Sequence, residues 1–446
     1  MSSVSADPAT SSAIPSRYRF YLVGAVASIG LILLALVDFR RGFLFADNLG
    51  YIWKSPYGIY APGQLWIFLS GIVGLFFFSR SLRSAEAELP TSVTNTCLGG
   101  FVFSIVALVL VDLFTYRGVA ATRLAAAGKI GTGWLDAFGV EGGWLRPFAL
   151  TGSYMLTVWH ATMLGILLSG LATLVLPRFF RNFMCRPGFG GSLSGGLYAL
   201  FQPFCSCCAA VIVPSLEKRG ATSNFSLAFV VGAPMLNIST LILSSLLLPL
   251  PYAALRIVAG VFVTLLVTYG VASLAAKWDA APEGAPRGGI SGMAVRWANA
   301  YARFFGLEEA LEARAHTAPG AFLAAWLNIS GRIALVMLPT LMVCTVVASA
   351  IVQGLPKAYG NDLMSVVVSA VGGTLLMVST WTEIPLALQM IEKGFTGPAA
   401  ALLVVLPPVS LPVLLVLAGC AGRLKTAMVL GVTVMATGVL AGMLFL

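Results

Sequence analysis

The stretch Pro203-Phe204-Cys205-Ser206-Cys207-Cys208 decides the reading of this chain. It is approached through Gly188, Gly190, Gly191, Gly195 and Gly196 and leads through Pro214 to the charged tip Glu217-Lys218-Arg219-Gly220. Proline and clustered glycine interrupt helices. In an apolar chain, such an interruption marks a broken segment inside a membrane protein. Three cysteines in four residues add soft sulfur ligands, which suit a soft metal ion or a trivalent metalloid.

The surroundings are apolar: of 446 residues 58% are hydrophobic and only 10% charged, with a mean hydropathy of +0.92. So much apolar surface needs lipid to cover it. Stretches of about the 20 residues that one crossing requires lie at 19–38, 62–79, 97–116, 148–177, 225–249, 252–276, 321–353, 397–420 and 424–446. Two shorter segments, 190–216 and 361–391, are interrupted by Gly, Pro and polar residues. The expected fold class is all-α: a polytopic transmembrane helical protein of about nine crossings with two broken or re-entrant segments. Residues 1–18 lack the basic start and cleavage site of a secretory leader and are expected to form a disordered tail. The net charge of +10 is scattered over loop ends such as Arg40, Arg41, Arg178, Arg181 and Lys277, which points away from nucleic acid and toward topology and helix anchoring. Four of the seven cysteines stand alone, which argues against a disulfide framework.

Shifting the chain by 174 positions places Gly220 on Gly394 and Pro234 on Pro408. In the same register Ser206 meets Thr380, Cys208 meets Thr382 and Arg219 meets Lys393, and both copies run from a small polar cluster to a charged tip. This self-similarity predicts two repeat halves. The division is 1–18 (tail), 19–145 (an additional region of about three spans), 146–276 (first repeat), 277–320 (polar connecting loop) and 321–446 (second repeat). Within the loop, 293–314 carries a fading apolar stripe and is read as an interfacial helix. Three clear spans separate Gly220 from Gly394, so a re-entrant 361–393 makes the halves inverted.

Cys205, Cys207 and Cys208 cannot share one side of a regular helix, where neighbours differ by about 100°. A nonhelical turn is expected to converge them as transient metal or metalloid ligands, with Ser206 completing the shell; the alternative is small apolar filler between helices. The second copy offers Thr380, Thr382 and Glu383 but no cysteine, so the site is one-sided in sulfur. An acid inside an apolar run is costly in lipid, and Glu383 either neutralises a cation and exchanges a proton or pairs structurally with Arg332. Asp112 and His160 are weaker candidates for the same proton relay, each with a packing alternative. Asn237 follows Pro234, which frees a carbonyl one turn back, and is read either as lining the substrate path or as part of a packing kink.

These residues resemble a known family. Pro203 to Cys208, with Gly232-Ala233-Pro234-Met235-Leu236-Asn237, looks like the Pro-Phe-Cys-Ser-Cys and Gly/Ser-Pro-x-x-Asn signatures of the permeases related to the organoarsenical efflux permease ArsP, over roughly residues 150 to 440. The resemblance implies a multispanning permease with duplicated halves that exports trivalent organoarsenicals or soft metals. Cys205 and Cys207 match the motif cysteines; Cys208 stands where Ser is expected and adds a thiol. The family's Ser/Thr-rich second motif with an acid is matched by Ser379, Thr380, Thr382 and Glu383 but not by Trp381. The first 145 residues have no counterpart in it.

The function expected is secondary export of a thiol-reactive metal or metalloid species across the bacterial inner membrane. The partners are a small-molecule or ion substrate and the lipid bilayer, with a second copy of the chain as a candidate. No nucleotide-binding loop or catalytic motif occurs, so no enzyme activity and no resident cofactor are expected. The competing readings are a transporter of a small organic or sulfur-containing anion with structural cysteines, and a membrane subunit of a larger assembly.

Overall fold

The computed structural model describes residues 14–43, 63–127, 143–200, 205–279, 306, 318–353, 360–376, 383–419 and 423–446. The expected tail and the 293–314 surface helix lie outside them. The described residues form helices and turns, without strands, and seven helical stretches among them are long and apolar enough to cross a membrane.

The chain opens with α1 (Ser16–Phe43), α2 (Gly63–Glu86) and α3 (Thr91–Ala127). Helix α4 (Arg146–Phe179) and the short α5 (Arg181–Met184) lead into the interrupted stretch, which folds as two half-length helices, α6 (Gly188–Leu200) and α7 (Ser206–Lys218). At about 1.5 Å per residue each arm is roughly 20 Å long, too short to cross a core of about 30 Å. The next span is itself broken. Helix α8 (Ser223–Leu236) contains Pro234, and Asn237, with extended φ −60° and ψ 140°, separates it from α9 (Ile238–Leu247). A full-length return follows through α10 (Leu250–Phe262), a π-helical turn (Val263–Val267) and α11 (Thr268–Asp279).

The second half has the same plan. Helix α12 (Pro319–Gln353) is followed by short α13 (Leu363–Leu375) and α14 (Glu383–Glu392), then α15 (Thr396–Val405), α16 (Leu411–Gly419) and α17 (Leu424–Met443). Shifted by 174, the starts of α4, α6, α7, α8, α9 and α10 fall within three residues of those of α12 to α17. The two tips share their hydrogen bonds as well. Gly220 (φ +97°) and Gly394 (φ +83°) end their helices in the left-handed region, with Ala221 N donating to Leu216 O and Phe395 N to Met390 O. The stretch 397–420 is broken within one crossing, as 225–249 is. Pro407 and Pro408 cannot donate to a helix ladder, and α15 stops at Val405.

The tips lie at opposite ends of the molecule. At one end Thr222 Oγ1 donates to Arg186 O, Arg219 to Thr173 O near the end of α4, and Glu217 pairs with Arg423 at 3.0 Å just before α17. At the other, Thr396 donates to Phe445 O, and Tyr252 at the start of α10 stacks on Phe445 at 4.6 Å. Helices α8 and α9 run from Ser223, beside the first tip, to Leu247, which packs with Tyr252 and Ile391 near the second.

One carboxylate links the first helices to α12. Glu86, ending α2, accepts from the Gly320 amide at 2.6 Å in the first turn of α12 and from the Tyr18 hydroxyl at 3.1 Å. An anion there caps unsatisfied amides and favours the helix dipole. Gly320 permits the approach, since a Cβ would sit 2.9 Å from Glu86 Oε2 and 3.1 Å from the Arg83 backbone. Glu86→Ala is expected to lower stability by about 1–2 kcal/mol, read as a fall in the thermal midpoint of the detergent-solubilised protein, with Glu86→Gln falling less.

Candidate functional site

Helix ends from both halves meet at one depth. Ala199, near the end of α6, lies against Gly232 on α8; a Cβ on Gly232 would meet the Ala199 Cβ at 2.9 Å and Thr264 Cγ2 at 2.8 Å. Small residues let the two helices approach closely. The contact sets the end of α6 level with the Pro234–Asn237 break. In the second half a Cβ on Gly373 would lie 3.0 Å from Leu402 and 3.6 Å from Leu406, which sets the end of α13 level with the break after Val405.

An ion pair joins the halves at this level. Arg256 on α10 is fully buried, and its Nη2 lies 3.3 Å from Oε1 of Glu383, the first residue of α14, itself only 1% exposed. The same Nη2 donates to Pro234 O at 3.1 Å, and Nη1 reaches Met235 Sδ at 2.8 Å. The arrangement follows helix electrostatics. The guanidinium sits on the carbonyl end of α8, and the carboxylate starts α14, where backbone amides are unpaired. Glu383 is thus paired with Arg256, a partner other than the Arg332 expected from sequence, which lies on α12. Sequence reading overlooks Arg256, although the rule that singles out Glu383 applies equally to an arginine in the apolar run Leu250–Phe262. Helices α9 and α15, which pack on α14, carry no charged residue.

Asn237 spans its own break: Nδ2 donates to Ala233 O at 2.9 Å and Oδ1 accepts from Thr240 N at 2.8 Å. Both polar atoms serve the backbone, so the side chain holds the two half-helices in register. At the second break, Ser410 is buried with its hydroxyl unpartnered among the described residues.

The sulfur motif differs from a convergent nonhelical turn. Cys205 alone is extended (φ −76°, ψ 156°) and precedes α7, whereas Ser206, Cys207 and Cys208 form its first helical turn. Ser206 is buried, and Cys205 is half-buried and not in a disulfide. The thiols of Cys207 and Cys208, the side chain of His160, and all of Thr380 and Thr382 lie outside the described residues. Among the described residues no three His, Cys, Asp or Glu side chains gather as a metal site. Asp112 is buried on α3, which packs along α9.

Removing one partner of a buried pair leaves an uncompensated charge, at a cost of about 3–5 kcal/mol, whereas a well-packed apolar replacement of both is often neutral. Glu383→Leu and Arg256→Met are each expected to lower the unfolding midpoint sharply, and the double variant to recover most of the loss. Additive losses in the double variant would contradict the pairing.

Comparison with known proteins agrees with this architecture. The family model described as a predicted permease, ArsP_1, matches residues 144–446. The UPF0718 protein YraQ of Escherichia coli (strain K12) is 32% identical over 297 residues, covering 65% of this chain and 78% of that protein. The UPF0718 protein MJ0584 of Methanocaldococcus jannaschii is 30% identical over 116 residues, 24% of this chain and 32% of its own length. No solved structure matches significantly. Helices α1 to α3 precede the matched region, and from α4 to its end the chain belongs to the predicted permease family, as an integral membrane protein.

Proposed function

We propose that this protein is a secondary transporter, and not an enzyme, that exports thiol-seeking metal or metalloid species such as trivalent arsenicals or soft metal ions across the bacterial inner membrane. The observation that carries this reading is the meeting of a cysteine-bearing helix start, two broken spans and the Glu383 helix start at one depth. Paired broken segments at mid-depth are where secondary transporters bind their cargo. The opposite placement of the Gly220 and Gly394 tips supports inverted halves.

Cys205, Cys207 and Cys208 would hold the cargo transiently, at a helix start whose partial positive charge suits thiolate ligands. Ser206, Thr380 and Thr382 would supply oxygen ligands, and Asn237 would hold the break open beside them. Glu383 would carry the proton step. Its carboxylate is held by Arg256, so taking up a proton requires release of the guanidinium, and proton exchange becomes tied to movement between the halves. Asp112 and His160 would extend that relay. The second reading draws on Arg256, whose Nε lacks a partner among the described residues. A buried guanidinium beside a helix break suits a small organic or sulfur-containing anion, with the cysteines serving as packing.

Inside-out vesicles separate the two. Gradient-dependent accumulation of methylated trivalent arsenic or arsenite is expected, with copper and zinc as comparators. The triple variant Cys205→Ser, Cys207→Ser, Cys208→Ser should lower that flux roughly tenfold or more at unchanged protein level. Unchanged flux in the triple variant would remove the thiol mechanism and favour the anion.

A further inference from the structure

We propose that the chain lies in the membrane with the cysteine-bearing hairpin, α6–α7, entering from the cytoplasmic side and the Glu383-bearing hairpin, α13–α14, entering from the opposite side. Hydrogen bonds between helix ends show which of them share a face. Tyr18 and Gly320 both bond to Glu86, so the start of α1, the end of α2 and the start of α12 lie together. Arg178 donates to Asn95 Oδ1 at 2.9 Å, which adds the start of α3 and the end of α4. Arg219 on Thr173 O and Arg423 on Glu217 add the Gly220 tip and the start of α17. The unbroken run from Leu250 to Asp279 carries α11 from the Tyr252 face back to this one.

Basic residues are distributed unequally between the two faces. In α4 to α17, Arg178, Arg181, Arg186, Lys218, Arg219 and Lys277 lie on the Gly220 face. Arg423 and Lys425 join them there. Among the described residues of the same region, only Arg146 and Lys393 lie on the Gly394 face. The first three helices are balanced, with Arg17, Arg19, Arg80 and Arg83 on the first face and Arg40, Arg41, Arg117 and Arg123 on the second. An excess of Lys and Arg near the ends of spans marks the cytoplasmic side, and acidic residues count for little in that balance. The Gly220 face is therefore cytoplasmic, and Leu446, after α17, is on the far side.

This orientation gives direction to the proposed site. The hairpin carrying sulfur forms the cytoplasmic wall, and the hairpin carrying Glu383 forms the outer wall. A soft species leaving a thiol-rich cytoplasm meets thiols first and the ion pair last. Orientation does not depend on what the site carries, so its test and the flux test fail separately.

The test uses the full chain fused after Leu446 either to alkaline phosphatase, active only outside the cytoplasm, or to a green fluorescent protein that fluoresces only inside. Phosphatase activity with a dark fluorescent fusion is expected; the reverse overturns the orientation. Short epitopes inserted after Gly394 and after Gly220 give a second reading. The Gly394 tag should be stained in intact spheroplasts and the Gly220 tag only after permeabilisation. Staining of both tags in intact spheroplasts, or of neither before permeabilisation, would overturn the opposed hairpins, and where an insertion prevents folding the Leu446 fusions decide the orientation.

Discussion

The Arg256–Glu383 pair is the interaction on which the rest of the arrangement depends. A charge in the low-dielectric interior is tolerated only when paired and hydrogen-bonded, and breaking such a pair costs about 3–5 kcal/mol. Arg256 meets that condition by binding the carboxylate, the Pro234 carbonyl and the Met235 sulfur together. Each charge also sits at the helix terminus whose partial charge it complements. The pair therefore fixes three things at once: the depth of the first break, the depth of the α14 start, and the contact between the two halves.

The repeat makes the pair more informative through its missing twin. Shifting by 174 positions in either direction takes Glu383 to Ala209 and Arg256 to Leu430, both fully buried in the apolar core. The first half has no charge where the second has Glu383, and it has Cys205, Cys207 and Cys208 where the second has Ser379, Trp381 and Thr382. Two related backbone frames thus carry different chemistry, sulfur and the arginine of the ion pair on one side and the carboxylate on the other. The outer elements keep the frame in place by other means: Glu217 holds Arg423 at the first tip, and Glu86 caps α12 for the additional helices.

Much of the frame was legible in the sequence because it is written in local signals. Pro234, Pro408, Gly220 and Gly394 stop or cap helices wherever they fall in an apolar run, and their spacing marked both the broken spans and the half-length helices. The partner of Glu383 was not legible. Arg256 lies 127 residues away, and only packing decides between it and Arg332. The role of Asn237 was half legible: Pro234 marked the break, but both polar atoms of the amide turn to the local backbone, a choice made by the geometry of the break. The cysteines misled in a different way. Their mutual exclusion on a helix face suggested a nonhelical turn through all three, yet Cys205 alone is extended and a helix begins with Ser206.

The central claim is that the sulfur-bearing and the Glu383-bearing hairpins are parts of one site. Protection of Cys205, Cys207 and Cys208 from alkylation by phenylarsine oxide, followed by mass spectrometry of the detergent-solubilised protein, tests it most directly. The account predicts strong protection in the native chain and much weaker protection in Glu383→Gln, which keeps the side-chain shape but not the charge. Equal protection in the two proteins would contradict it.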